Sequence, residues 1–264
     1  MRSNESAPSY KGNEDVRMLV TVWQSIKDQI QPDGTIGELF SVWFRAFESG
    51  LAKKDPWTGI VCWNHLPETR RQLSKSDIPD LTVELKQLAV SRYLGFDSFA
   101  ALDASPETRL NSIFESAVEM AIDGQLEELK LLMEANPELV RERSRLGHKA
   151  TLLHYISANG VEIHRQRIPE NAEAIAGYLI GLSDHPDVEC SIYGGGPAST
   201  PLCLVISSGH LVDNNIQIPI MKLLLKHGAA VDGIRSEGSP LETAVSFEYK
   251  KAEDLLLENG AKTI

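Results

Sequence analysis

The sequence predicts an all-α protein, an N-terminal helical segment followed by a solenoid of about four irregular helix-turn-helix repeats. Three observations carry this. Apolar residues recur at steps of three and four from Val16 onward, which places them on single helix faces. Capping residues and glycines stand where those stripes begin and end. A unit of small and apolar residues then recurs through the second half of the chain, as it does when short helix pairs stack because none can bury its apolar face alone.

Composition narrows the function classes. The chain has 264 residues, 42% hydrophobic, enough for a substantial core in one domain or in two closely packed ones. Its net charge of −11 lacks the basic footprint that holds proteins on phosphate backbones, so nucleic acid is not an expected partner. No apolar run reaches the roughly 18–20 residues that span a bilayer, so no membrane is expected either. The polar start lacks the apolar stretch of a secretion signal. Cys62, Cys190 and Cys203 form an odd set that suggests no disulfide framework. A soluble cytoplasmic protein, most simply a monomer, is the expectation.

Residues 1–14 offer almost nothing to bury and are expected to be disordered. Val16, Leu19, Val20, Trp23, Ile26 and Ile30 form the first helical stripe, ended by Pro32-Asp33-Gly34. Ile36, Leu39, Phe40, Trp43 and Phe47 form the second, with Gly50 as its left-handed cap. A turn is expected from Lys53 to Gly59, and the stretch 60–80 reads as loop because of Pro67, Ser74, Ser76 and Pro79. Leu85, Leu88, Ala89 and Tyr93 form a third stripe closed by Gly95, and Ser98 caps a short helix through Leu102. Ser105-Pro106-Glu107 reads as a helix start: N-cap, proline at the first position, early carboxylate. Residues 15–110 are thus a helical N-terminal, capping region and 111–264 the repeat domain. All four tryptophans lie in the first 63 residues, as a small helical core or as an aromatic docking surface.

The clearest repeat is Thr200-Pro201-Leu202-Cys203 through Gly209-His210, followed by Met221-Lys222-Leu223-Leu224-Leu225 and Gly228-Ala229-Ala230-Val231-Asp232. A second copy starts at Thr151-Leu152-Leu153-His154, and the last at Ser239-Pro240-Leu241-Glu242. A divergent first copy runs over 116–124 and 126–135. This pattern resembles the ankyrin repeat, with its Thr-Pro-Leu-His start, Gly-His turn and Leu-Leu second helix. Cys203 replaces the usual His, Leu152 the usual Pro, and Glu248 stands where the last turn glycine belongs. A closer resemblance is to a bacterial group of ankyrin proteins that carry a Leu-Gly-Phe-x-Ser-Trp/Phe element, an Ala-Thr-Leu-Leu-His-Tyr run and a Tyr-Gly-Gly-Gly loop. The matching residues here are Leu94 to Leu102, Ala150 to Tyr155 and Tyr193 to Gly196. That resemblance implies a cytoplasmic, non-enzymatic protein, with the concave face of the stack and its long loops as binding surface. His154 is expected to bond across to a neighbouring turn.

The turn glycines Gly124, Gly160 and Gly209 are 36 and 49 residues apart, so extra residues sit at 161–169, 184–197 and 211–218. As loops these are either tolerated drift or a contact surface. Chemistry is sparse. Cys62-x-x-His65 has no companion ligand pair, no Gly-x-Ser-x-Gly elbow occurs, and Gly194-Gly195-Gly196 lacks the Gly-Lys-Ser/Thr ending of a phosphate loop. No catalytic residue, cofactor or metal is expected. One charge feature stands out: Arg141, Arg143, Arg145, Lys149, Arg165 and Arg167 against Glu142 and Glu162, a local +4 in an acidic chain. Arginines suit carboxylate or phosphate recognition. Arg141, Arg143, Arg145, Lys149, Arg165 and Tyr193 are therefore the candidate contacts for a protein partner of unknown identity, unless these charges merely neutralise nearby acids. The alternatives are a ligand-binding or enzymatic segment at 15–80, with the repeats as its docking arm, and self-association through the tryptophan-bearing helices.

Overall fold

The computed structural model describes residues 10–11, 13–67, 80–192, 198–234 and 238–262. Helix starts follow the capping chemistry of the sequence. After strand β1 (Tyr10–Lys11), Asn13 Oδ1 accepts from Val16 N–H at 3.0 Å and opens α1 (Glu14–Ile26). Thr35 and Glu38 form a reciprocal capping box at the start of α2 (Ile36–Lys53). Then come α3 (Pro56–His65), α4 (Val83–Tyr93) and α5 (Phe99–Asp103), the last capped by Ser98. These five helices share one core, in which Val16, Leu19, Trp43, Phe47, Val90 and Tyr93 are buried.

Four expectations change here. The segment read as disordered holds, at its described end, a strand and a helix start. Gly50 does not cap α2: it lies inside the helix, where a Cβ would stand 2.6 Å from Thr58 and 2.7 Å from Trp57, and Lys54 (φ 58°) makes the left-handed cap. The turn and loop read over 53–66 is mostly helix, because Pro56 occupies the first turn of α3, the one place where its missing N–H costs nothing. Residues 105–107 start no helix. The Pro106 and Thr108 carbonyls instead accept from the free N–H groups of Gly37 and Ile36, tying this loop to the start of α2. The loop reading at 68–79 lies outside the described residues.

The second half stacks helix pairs. They are α6 (Ser112–Asp123) with α7 (Leu126–Ala135), α8 (Leu152–Tyr155) with α9 (Ala172–Leu182), α10 (Pro201–Ser207) with α12 (Gln217–Lys226), and α13 (Pro240–Ser246) with α14 (Lys250–Glu258). First helices contact first helices along the row α6, α8, α10, α13, and second helices do so along α9, α12, α14. Their apolar faces form one continuous core from Phe114 to Leu256. The extra residues at 211–218 include a short helix, α11 (Gly209–Asp213), and those at 184–197 contribute the hairpin of β3 (Cys190–Ser191) and β4 (Ala198–Ser199). Glu248 takes the left-handed turn conformation itself (φ 57°), so that turn persists without its glycine.

The third insertion behaves differently. Residues 161–168 are all buried. They run from a 3-10 turn, Ile163–Arg165, into β2 (Ile168–Pro169), which pairs antiparallel with β1, while α1 packs along the turn. The expected solvent loop is thus an internal layer between the N-terminal helices and the first two pairs. Leu146 and Ile163 belong to the N-terminal core, not to that of the stack. Contact is closest where Gly147 meets Gly95 (φ 81°): a Cβ on Gly147 would lie 2.2 Å from the Gly95 carbonyl oxygen.

Candidate functional site

On α6, Glu115, Glu119 and Asp123 recur every fourth residue and so share one face. Three like charges so placed repel, and the buried layer supplies what offsets them. Arg165 and Arg167 alternate along it. Arg165 Nη2 meets Glu115 Oε2 at 2.7 Å, its Nε meets Glu119 Oε1 at 3.1 Å, and its Nη1 meets Glu162 Oε1 at 3.2 Å. Arg167 reaches Glu119 Oε2 at 2.5 Å and Asp123 Oδ1 at 3.3 Å. Both arginine side chains are 7% exposed or less, and Glu162 is 1% exposed. On the far side of Glu162, His148 Nδ1 accepts from the Ala150 N–H at 3.0 Å, which leaves the ring proton on Nε2, 3.4 Å from Glu162 Oε2.

The low-dielectric setting sets the protonation states. Burial works to raise the Glu162 carboxyl, but Arg165 and then His148 outweigh it and hold Glu162 well below the usual carboxylate range. The same contest, against Arg165 and Arg167, leaves Glu119 lowered. At Glu115 burial wins over Arg165, and its carboxyl is raised. Burial, then Arg165, pull His164 down to about 3, so its ring is neutral.

Beside this network lies a cavity of about 380 Å³ between α1, α2 and α6. Trp23, Ile30, Leu39, Trp43, Leu110 and Met120 supply its apolar wall; Glu115, Glu119, His164 and Arg165 supply its polar one. The Trp23 and Trp43 rings lie nearly parallel, 7° apart with centroids at 6.0 Å. His164 sits against both, at 4.7 and 5.4 Å, and its Nδ1 lies 2.7 Å from the Tyr93 hydroxyl. Four buried polar atoms of the lining residues have no hydrogen-bond partner among the described residues: Trp43 Nε1, His164 Nε2, Glu115 Oε1 and Glu162 Oε2, the last facing His148. A mostly apolar cavity with a few convergent polar groups of shifted pKa is the usual construction of a small-molecule site.

Only part of the basic cluster is on the surface. Arg141 pairs with Asp184; Arg143 Nη1 donates to the Lys149 and Glu189 carbonyls at 2.8 and 2.6 Å; Arg145 Nη2 meets Glu142 Oε1 at 2.8 Å. Lys149 Nζ donates to the Arg145 carbonyl at 3.1 Å. These four exposed residues close the loop after α7 and its 3-10 turn upon itself and upon the β3 approach. Arg165 does not belong with them. It is no surface contact but the centre of the buried network, because burial of the 161–168 layer took it inside. Tyr193 and the three glycines after it lie outside the described residues. The sequence reading missed Trp23, Trp43, Glu115, Glu119, Glu162 and His164 as one site. The available signal was the four-residue spacing of acids on α6 set against Arg165-x-Arg167.

Two other candidates resolve as structure. His154 Nδ1 accepts from the Thr151 N–H at 3.0 Å, and its Nε2 faces the Val188 carbonyl at 3.0 Å, so it ties α8 to the neighbouring hairpin. Cys62 is buried, and burial pushes its thiol up to about 12, a poor nucleophile or ligand. Among the described residues no three His, Cys, Asp or Glu side chains gather as a metal site, and no helix is long and apolar enough to cross a membrane. No protein-family profile matches the chain, and no curated protein matches it.

Proposed function

We propose that this chain is a non-enzymatic binding protein, in which an ankyrin-type stack and an N-terminal helical region together enclose a site for a small molecule. The observation that carries the reading is the cavity between α1, α2 and α6, with its unpartnered Trp43, His164 and Glu115 atoms. The ankyrin assignment is supported by the repeat residues and by the paired rows of helices. Binding rather than catalysis is supported by the state of the charged groups: Arg165 is saturated by three carboxylates, and His164 is held neutral far below physiological pH, where it makes a weak base.

The test uses the full chain. Thermal shift against fragments of mixed charge should give stabilising ligands, and Ser116→Trp should abolish them. Ser116 borders the cavity on the exposed side of α6, so the indole plugs the opening without entering the core. Hits that survive the plug, or no hit at about millimolar ligand, the weak end of specific binding, would sink the reading.

A second reading, the scaffold that docks another protein, is favoured by the last repeat. Val245 and Phe247 are 54% and 50% exposed beside a groove of about 410 Å³ lined by Val212, Ile218 and Tyr249. A photo-cross-linker at 247 should then trap one protein whose capture Val245→Lys prevents.

A further inference from the structure

The geometry points to an organic amine cation with an aromatic or apolar body as the ligand class of the junction cavity, an inference that rests on the small-molecule reading above. Charge is the first argument. Around the cavity and its buried border the four acids Glu115, Glu119, Glu162 and Asp123 stand against three cations, Arg165, Arg167 and the exposed lining residue Lys27, and the neutral His164 adds nothing. The charge of Lys27, exposed at the border, is felt at Asp123. An anion entering here meets carboxylates and an already saturated guanidinium.

The second argument is the vacant acceptor. Glu115 Oε2 is taken by Arg165, while Oε1 is buried without a partner. An ammonium N–H at that oxygen supplies both the missing hydrogen bond and the missing charge, and charge-assisted bonds are the strong ones. The aromatic wall is the third. The stacked indoles of Trp23 and Trp43 place electron-rich rings at the cavity wall, which favours a nearby cation, and with Ile30 and Leu39 they shelter an apolar body. Trp43 is 2% exposed and its Nε1–H is unpartnered, so the best ligand also carries a neutral oxygen to accept from it.

The probe set holds the skeleton constant and changes the charge: tyramine, its alcohol counterpart tyrosol, and 4-hydroxyphenylacetate, alongside phenethylamine, 2-phenylethanol and phenylacetate. Affinity is read by titration calorimetry on the full chain. The amines should bind at least about tenfold tighter than the alcohols, roughly one charge-assisted hydrogen bond, and the carboxylates weakest. Glu115→Gln, which keeps the side chain's shape, should erase the preference for amine while leaving alcohol binding in place. Ser116→Trp should remove all binding, which locates the signal in the cavity. Alcohols or carboxylates that bind as tightly as the amines, with loss in Ser116→Trp, overturn the cation assignment and leave the site standing. A preference for amine that survives Glu115→Gln overturns the role of that carboxylate and the assignment with it. No binding by any of the six at several millimolar, beyond the weakest affinity of a specific site, overturns the small-molecule reading itself.

Discussion

The first two helix pairs and the last two obey one grammar and bury opposite chemistries. In α10–α12 and α13–α14 the buried side chains carry no charge. Thr200 and Ser239 cap their helices, Pro201 and Pro240 fill the first positions, and the charges of α14 pair on the surface, Lys250 with Glu253 and Asp254. In α6–α9 a polar insertion is folded inward and carries two arginines and a glutamate with it. The difference shows what a stack of helix pairs needs before it can bury charge: a further layer that excludes water and ligating groups that answer every ion. The N-terminal helices supply the layer, and α6 supplies the acids. Buried ion networks are often no more stabilising than apolar packing of similar volume, so this one is better explained by fixing the register of the buried layer against α6 than by stability.

Acid should break the comparison most sharply. The unfolded chain takes up protons on histidine below pH ~6.5, but folded His154 and His164 refuse them until about 3. The stability gained by keeping them neutral is complete above the first value and is lost progressively toward the second. Glu119 and Glu162, held low, contribute stability above their unfolded values near ~4.3 that disappears as pH falls through the folded ones. Glu115, raised, works the other way. The net expectation on going from about pH 7.5 to about pH 4.5 is a loss of several kcal/mol, seen in urea melts followed by tryptophan fluorescence. All four tryptophans lie in the N-terminal region, so fluorescence reports that side of the junction, while circular dichroism also reads the later pairs. An unchanged midpoint would sink the electrostatic account.

Arg165→Met should be next, costing about 3–5 kcal/mol, because it leaves Glu115, Glu119 and Glu162 without their shared counter-ion. A chemical denaturation midpoint close to the parent's would show that the network is incidental. Gly147→Ala drives a methyl into the Gly95 carbonyl and should cost about 1–3 kcal/mol. Hydrogen exchange should place that loss at the junction and spare α13 and α14. The smallest effect belongs to the regular end: Thr200→Ala removes the acceptor for the Cys203 N–H and should cost about 1 kcal/mol, with fluorescence unmoved at its midpoint. A coincident loss in both probes there would mean that the two regions unfold as one.

Where local chemistry decides, the sequence was readable. Stripes such as Leu39, Trp43 and Phe47, the cap at Ser98 and the helices from Thr200 onward all form where their spacing implied. Where tertiary contacts decide, it was not. Gly50 looked like a cap, but its missing Cβ serves the approach of Trp57 and Thr58. Ser105-Pro106-Glu107 had every mark of a helix start, yet its carbonyls are used by α2. The 161–169 segment looked like loop because a run bearing Glu162, His164, Arg165, Gln166 and Arg167 is normally solvated. Only the matched acids on α6, with Glu119 standing 46 and 48 residues before the two arginines, make it an interior. The candidate site was therefore almost illegible: its walls come from α1, α2, α6 and the buried layer, and no local pattern joins them.

The donation of Leu146 and Ile163 to the N-terminal core has a consequence in time. During synthesis the five helices of that core leave the ribosome before residues 146 and 163, with a core that still lacks two of its side chains. At roughly 5–20 residues per second, the wait between Leu110 and Ile163 lasts on the order of seconds. Until then the face of α1 that carries Trp23 has no layer to close over it, and β1 has no strand to pair with. This region therefore completes itself only when the later helix pairs arrive, and a nascent chain stalled before residue 163 presents an open aromatic face to chaperones.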